Sequence, residues 1–222
     1  MSYDTEAMKD TRNVKGLIRA LRRGQPPEQL EAAKALGSIG DKRATRSLAK
    51  ALKYGDCSLP VAAAEALGTI GGRRTIRPLC KALKHPDSAL NKAAAVALGM
   101  TGDPRAIGPL CEALAGGDRY GLVGAAAQAL GKIRDPKLVG PLSEALRHVG
   151  PRAVMVIHTL TETDNEYALE ALAVFTGNHP LPVCQRWLEE MKNRIVGGRR
   201  EPRKESDAMT AFCPNDVSGC ER

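Results

Sequence analysis

The sequence predicts an all-α fold: a right-handed α-solenoid (an α-α superhelix) of five to six helix pairs, repeating about every 31 residues. Three observations predict it. Thr45-Arg-Ser-Leu-Ala-Lys-Ala-Leu-Lys53 returns 31 residues later as Ile76-Arg-Pro-Leu-Cys-Lys-Ala-Leu-Lys84. Two markers then keep that period independently. Leu-x-x-Ala-Leu starts at Leu17, Leu48, Leu79, Leu110 and Leu142, and Ala-Leu-Gly ends at Gly37, Gly68, Gly99 and Gly131. Finally, aromatic residues are 3% of a chain that is 43% apolar, so the core must be built from Ala, Leu, Ile and Val. Such side chains suit closely packed helices better than sandwiches of aromatic and β-branched strands.

In chain order, 1–13 is an N-terminal segment and the array runs over 14–196. Its repeats fall at 14–44, 45–75, 76–106, 107–138 and 139–163, followed by a degenerate C-terminal cap at 164–196. In the first helix of each pair the apolar residues share a face: Ile76, Leu79, Cys80 and Leu83 fall at i, i+3, i+4 and i+7. The second helix carries the alanine-rich run ending in Ala-Leu-Gly, whose small residues allow backbones to approach. Gly55-Asp56, Pro86-Asp87 and Gly116-Gly117-Asp118 break each pair. Gly40, Gly71 and Gly102 suit the left-handed residue that closes a helix. Asp103-Pro104 and Asp135-Pro136 then open the next, with Asp as N-cap and Pro in the first helical position. In the last helix Val183, Trp187, Met191 and Ile195 fall four apart, a stripe that seals the exposed end of the core. Beyond Gly197-Gly198 the composition turns charged, and 197–222 reads as a disordered tail.

The pattern Gly102-Asp-Pro-Arg-Ala-Ile-Gly-Pro-Leu-Cys-Glu-Ala-Leu114, with Ala94-Ala-Val-Ala-Leu-Gly99, resembles HEAT-like repeats of the phycobilisome-lyase type. The resemblance covers about Val14–Leu160. It implies a solenoid whose first helices line the convex side, and it is shared by scaffolds, chromophore lyases and enzymes. Arginine is usual near the start of the second helix in such repeats; here the slot holds Gln29, Pro60, Asn91 and Val123. Di-iron members such as deoxyhypusine hydroxylase use His-Glu pairs, and none of His85, His148, His158 or His179 precedes a Glu.

Charge is unevenly spread. The chain has a formal net charge of +8. Between Val14 and Ala106 stand 17 Lys and Arg against 7 Asp and Glu, whereas Ile107–Arg222 has 14 against 15. The excess is ordered in columns. Lys15, Arg19 and Arg22 lie at i, i+4 and i+7 of the first helix; Arg46, Lys50 and Lys53 follow one period later, then Arg77, Lys81 and Lys84. Stacked helices would array them as a three-by-three grid, with cations about 6 Å apart along a helix and about 10 Å between helices. The fourth repeat holds Gly108, Glu112 and Ala115 in those slots, which ends the ridge. Lys at the third position is common in this repeat type, but nine basic positions with few interleaved acids exceed what solubility requires. An anionic partner is expected here, with a merely solvated outer face as the alternative; the candidates are an acidic protein, which comes first, a nucleic acid backbone or an anionic membrane surface. Nucleic acid is the weaker alternative: Tyr54 and Tyr120 are the only aromatics in the first four repeats to stack on bases.

No nucleophile, base and orienting group are brought together by the pattern, and no phosphate-cradling Gly-x-x-x-x-Gly-Lys loop occurs. No cofactor and no metal site are expected. Cys213 and Cys220 are separated by six residues, unlike the tight pairs of zinc sites. Cys80 and Cys111 share a slot held by Ile18 and Ala49 in earlier repeats, so they are expected as apolar core thiols. The start Met1-Ser-Tyr-Asp-Thr-Glu lacks the apolar run of a signal peptide, and no apolar stretch is long enough to span a bilayer. A cytoplasmic location with reduced thiols is therefore expected. The functional expectation is a non-catalytic protein-interaction scaffold. A phycobilin lyase-like or chromophore-handling subunit, implied by the resemblance, and sequence-blind nucleic-acid binding are the alternatives. Arg119 and Tyr120, in the glycine-rich stretch Gly116–Gly124, form a possible loop contact.

Overall fold

A computed structural model describes residues 3–53, 58–116, 121–149 and 152–177, all within one compact unit that ends at Asn178. Every regular element among the described residues is helical. A short leading helix, α1 (Thr5–Asp10), packs against α2 (Val14–Arg23) and α3 (Pro26–Ile39). The pairs α4 (Thr45–Ala51) and α5 (Ser58–Ile70), α6 (Arg73–Leu83) and α7 (Ser88–Thr101), and α8 (Ile107–Ala115) and α9 (Leu122–Lys132) follow. Next come α10 (Val139–His148), α11 (Ala153–Thr161) and α12 (Glu166–Gly177). Second helices α3, α5, α7, α9 and α11 pack in succession, and first helices α2, α4, α6, α8, α10 and α12 form the other layer. This two-layer stack is the α-solenoid expected from the period.

The period has a physical cause. Gly37, Gly68 and Gly99 each face an alanine of the next second helix. A Cβ added to them would lie 2.9, 2.8 and 2.6 Å from the Cα of Ala66, Ala97 and Ala129. No side chain fits there, so glycine sets how closely the second-helix layer closes. The core between layers is aliphatic: Leu17, Leu48, Leu79, Leu110 and Leu142, the first leucines of the repeated motif, are all fully buried.

Helix ends follow local chemistry. Gly40, Gly71 and Gly102 are left-handed, with φ of 72°, 63° and 61°, and end the second helices as expected. The Asp-Pro pairs behave differently in one respect. Asp103 and Asp135 do cap, accepting from the N–H of Arg105 and Lys137, but each opens a 3-10 turn, Pro104–Ala106 or Pro136–Leu138, from which α8 or α10 continues. Asp41 caps Lys42–Ala44 in the same way, and the Arg43 guanidinium bonded to its carboxylate holds the Asp41 carboxyl below its usual range. No such acid stands before α6. Gly72, at φ 88°, precedes α6, which starts at Arg73 and runs without a break.

The same slot in the last repeat holds Asn165, which is fully buried. Its Oδ1 accepts from the Tyr167 N–H at 3.1 Å, as the aspartates do. Its Nδ2 donates to the Gly131 and Ile133 carbonyls, each at 2.9 Å, and so ties the start of α12 to the end of α9.

Candidate functional site

The nine cations of the expected ridge are carried by α2, by α4 and the turn after it, and by α6 and its C-cap, and all nine side chains are exposed. Their exposure follows from the buried side of each helix: Leu17, Leu48 and Leu79 face inward, and residues two and five positions on face out. Eight of the nine form no ion pair among the described residues. The ninth, Lys84, reaches across to the next repeat and meets Glu112 at 3.0 Å, with both side chains about two-thirds exposed (70% and 66%). The grid therefore does not simply stop at the fourth repeat; its last cation is engaged by the acid that occupies the slot of Lys81 one period on.

Between α4 and α6 the first-helix layer opens into a groove of about 450 Å³. Ala49, Leu52, Pro78 and Ala82 supply apolar walls, and Lys53, Arg77, Lys81 and His85 supply polar ones. Three of the nine ridge cations thus border a concave surface. The sequence carries a signal for this: Ala49 is the smallest residue at a slot that holds Ile18, Cys80 and Cys111 elsewhere.

Cys111 is buried and Cys80 half-buried, both as free thiols. Burial pushes the Cys111 thiol up to about 12 and raises that of Cys80, so neither is poised as a thiolate. Among the described residues no three His, Cys, Asp or Glu side chains gather at a point that would hold a metal ion, and no helix is long and apolar enough to cross a membrane. Asn91, one of the atypical residues at the usual arginine slot, is fully buried; its Nδ2 contacts the His85 carbonyl at 3.4 Å, and its Oδ1 has no hydrogen-bond partner among the described residues. Arg119 and Tyr120, Tyr54, the Val183–Ile195 stripe, Cys213, Cys220 and 197–222 lie outside the described residues.

Comparison with known proteins agrees with this architecture. Residues 46–130 match the HEAT repeats family, and residues 28–54 and 122–148 match the PBS lyase HEAT-like repeat. No curated protein matches the chain in sequence. Among solved structures, the chain is similar to a designed armadillo repeat protein in complex with the peptide (KR)4, at 18% identity and a TM-score of 0.50, covering 78% of this chain and 87% of that one. At that identity the likeness concerns the fold alone. With the period, the two-layer stack and the family matches in agreement, the chain is a HEAT-like repeat protein.

Proposed function

We propose that the repeat array is a scaffold that holds an acidic protein partner on its first-helix layer, through Lys15, Arg19, Arg22, Arg46, Lys50, Lys53, Arg77, Lys81 and Lys84. The observation that carries the reading is the columns of exposed cations, eight of them without an ion pair among the described residues, beside an open groove. Unpaired surface cations raise local anion concentration and speed encounter with an acidic surface. An extended repeat surface suits a protein ligand, as in the designed armadillo complex with (KR)4; the basic ridge asks for a partner of the opposite sign.

The test compares the wild-type protein with the Arg46→Glu, Lys50→Glu, Arg77→Glu, Lys81→Glu variant, by fluorescence anisotropy of a labelled Glu-rich peptide, duplex DNA and phosphatidylserine vesicles. Expected is peptide binding that the variant loses. Binding that survives the four reversals, or duplex DNA bound more tightly than the peptide at physiological salt, would overturn the reading.

A further inference from the structure

We infer that the groove between α4 and α6 seats an acidic amphipathic helix of a partner protein, with the partner's aliphatic side chains on the groove floor and its carboxylates over the flanking cations. The inference rests on the ridge being a partner-binding surface and adds the shape and chemistry of what it holds.

The groove is distinguished from its neighbours by residues at matching slots. Between α2 and α4 the slot of Ala49 is occupied by Ile18, which adds bulk where this groove has a methyl group. Between α6 and α8 the slot of Lys81 is occupied by Glu112, and the Lys84–Glu112 ion pair bridges the two helices. The α4–α6 interval alone combines a small floor residue with cations on both flanks and no acid at these slots. Its volume, about 450 Å³, is within the range of sites that take up several side chains.

Charge and apolar surface together select the occupant. The floor of Ala49, Leu52, Pro78 and Ala82 offers no charged group, so a stripe of Leu or Ile gains burial there. The cations that line the groove are Lys53 on the turn after α4 and Arg77 and Lys81 on α6, with His85 beyond, and Arg46 and Lys50 continue the α4 column outside the lining. Such a column spans seven residues, or about 10.5 Å at the α-helical rise. A helix lying in the groove repeats its own carboxylates at i, i+4 and i+7 with the same rise and stays in register with them. A strand spaces same-face residues about 6.7 Å apart, so over three cations it drifts by about 3 Å. Matching pitch therefore favours a helix docked in a groove over an added extended segment.

The experiment uses the full chain and two synthetic peptides of equal composition. One is a stapled helix with Leu at i, i+4 and i+7 flanked by Glu; the other is a proline-interrupted scramble. Anisotropy is expected to show the wild type binding the stapled helix about tenfold tighter than the scramble. Ala49→Ile, which installs the residue found at Ile18, is expected to erase that preference while leaving charge-driven binding. Amide shifts of Ala49, Leu52 and Ala82 in the unmutated protein, on adding the stapled helix, keep the test valid if Ala49→Ile lowers the melting temperature. Equal affinity for both peptides, or shifts that avoid the groove floor, overturns the helix inference while the ridge reading stands. Binding that also survives Lys50→Glu with Lys81→Glu overturns both.

Discussion

Asn165 and Asn91 show how the same side chain can tighten or loosen a repeat. Asn165 satisfies both ends of its amide: one acceptor for the start of α12 and two donors for the end of α9. Replacing it with Ala orphans two carbonyls and one N–H, and should cost about 3 kcal/mol by chemical denaturation. Asn165→Asp keeps the cap but sets a carboxylate oxygen against those carbonyls, so it should not restore stability. Asn91 presents the opposite case, a buried carbonyl oxygen without a partner among the described residues. Asn91→Leu, close in size and free of that oxygen, should raise stability by about 1 kcal/mol in the same assay. The sequence marked Asn91 as a departure and its neighbourhood as a turn. It did not mark Asn165 at all, because its two donors act across 34 and 32 residues. Polar satisfaction of that kind depends on where the previous repeat ends.

At the scale of the helix, close approach between glycine and alanine governs the stack. Gly99→Ala would place a Cβ 2.6 Å from the Ala129 Cα. Because the obstacle is backbone, the helices must separate, and the melting curve should show a loss of about 2 kcal/mol. Gly108→Ala is the control: nothing lies within 4 Å of a Cβ there, and helix propensity should make it stabilising by about 0.5–1 kcal/mol. The helix pairs were legible because Leu-x-x-Ala-Leu and Ala-Leu-Gly encode both burial and approach. Boundaries were less so. Gly71-Gly72 replaces the acid-capped turn, so α6 begins at Arg73 instead of at the repeat's nominal start, Ile76. The α4–α6 groove was not read at all, since it arises from the separation of two helices 31 residues apart in the chain, which the motif they share does not encode.

Across the whole array, the charge pattern was legible and its termination only half so. Glu112 was visible as the residue that breaks the column, but its 3.0 Å contact with Lys84 needs the relative reach of α6 and α8. An exposed pair of this kind is worth little to folding. Glu112→Gln should therefore change stability by less than about 0.5 kcal/mol while releasing Lys84, and should tighten binding of a Glu-rich peptide about twofold at low salt. Titrations at two ionic strengths check it, because the gain should fade as salt screens exposed charge.

The Lys84–Glu112 pair also has a consequence for length. A partner carboxylate approaching Lys84 must displace one already in place, whereas at Arg77 and Lys81 it meets no rival among the described residues. Under the proposed reading, an acidic stretch that engages Arg77 and Lys81 meets only cations, and one extended to Lys84 runs into a resident competitor at its far end.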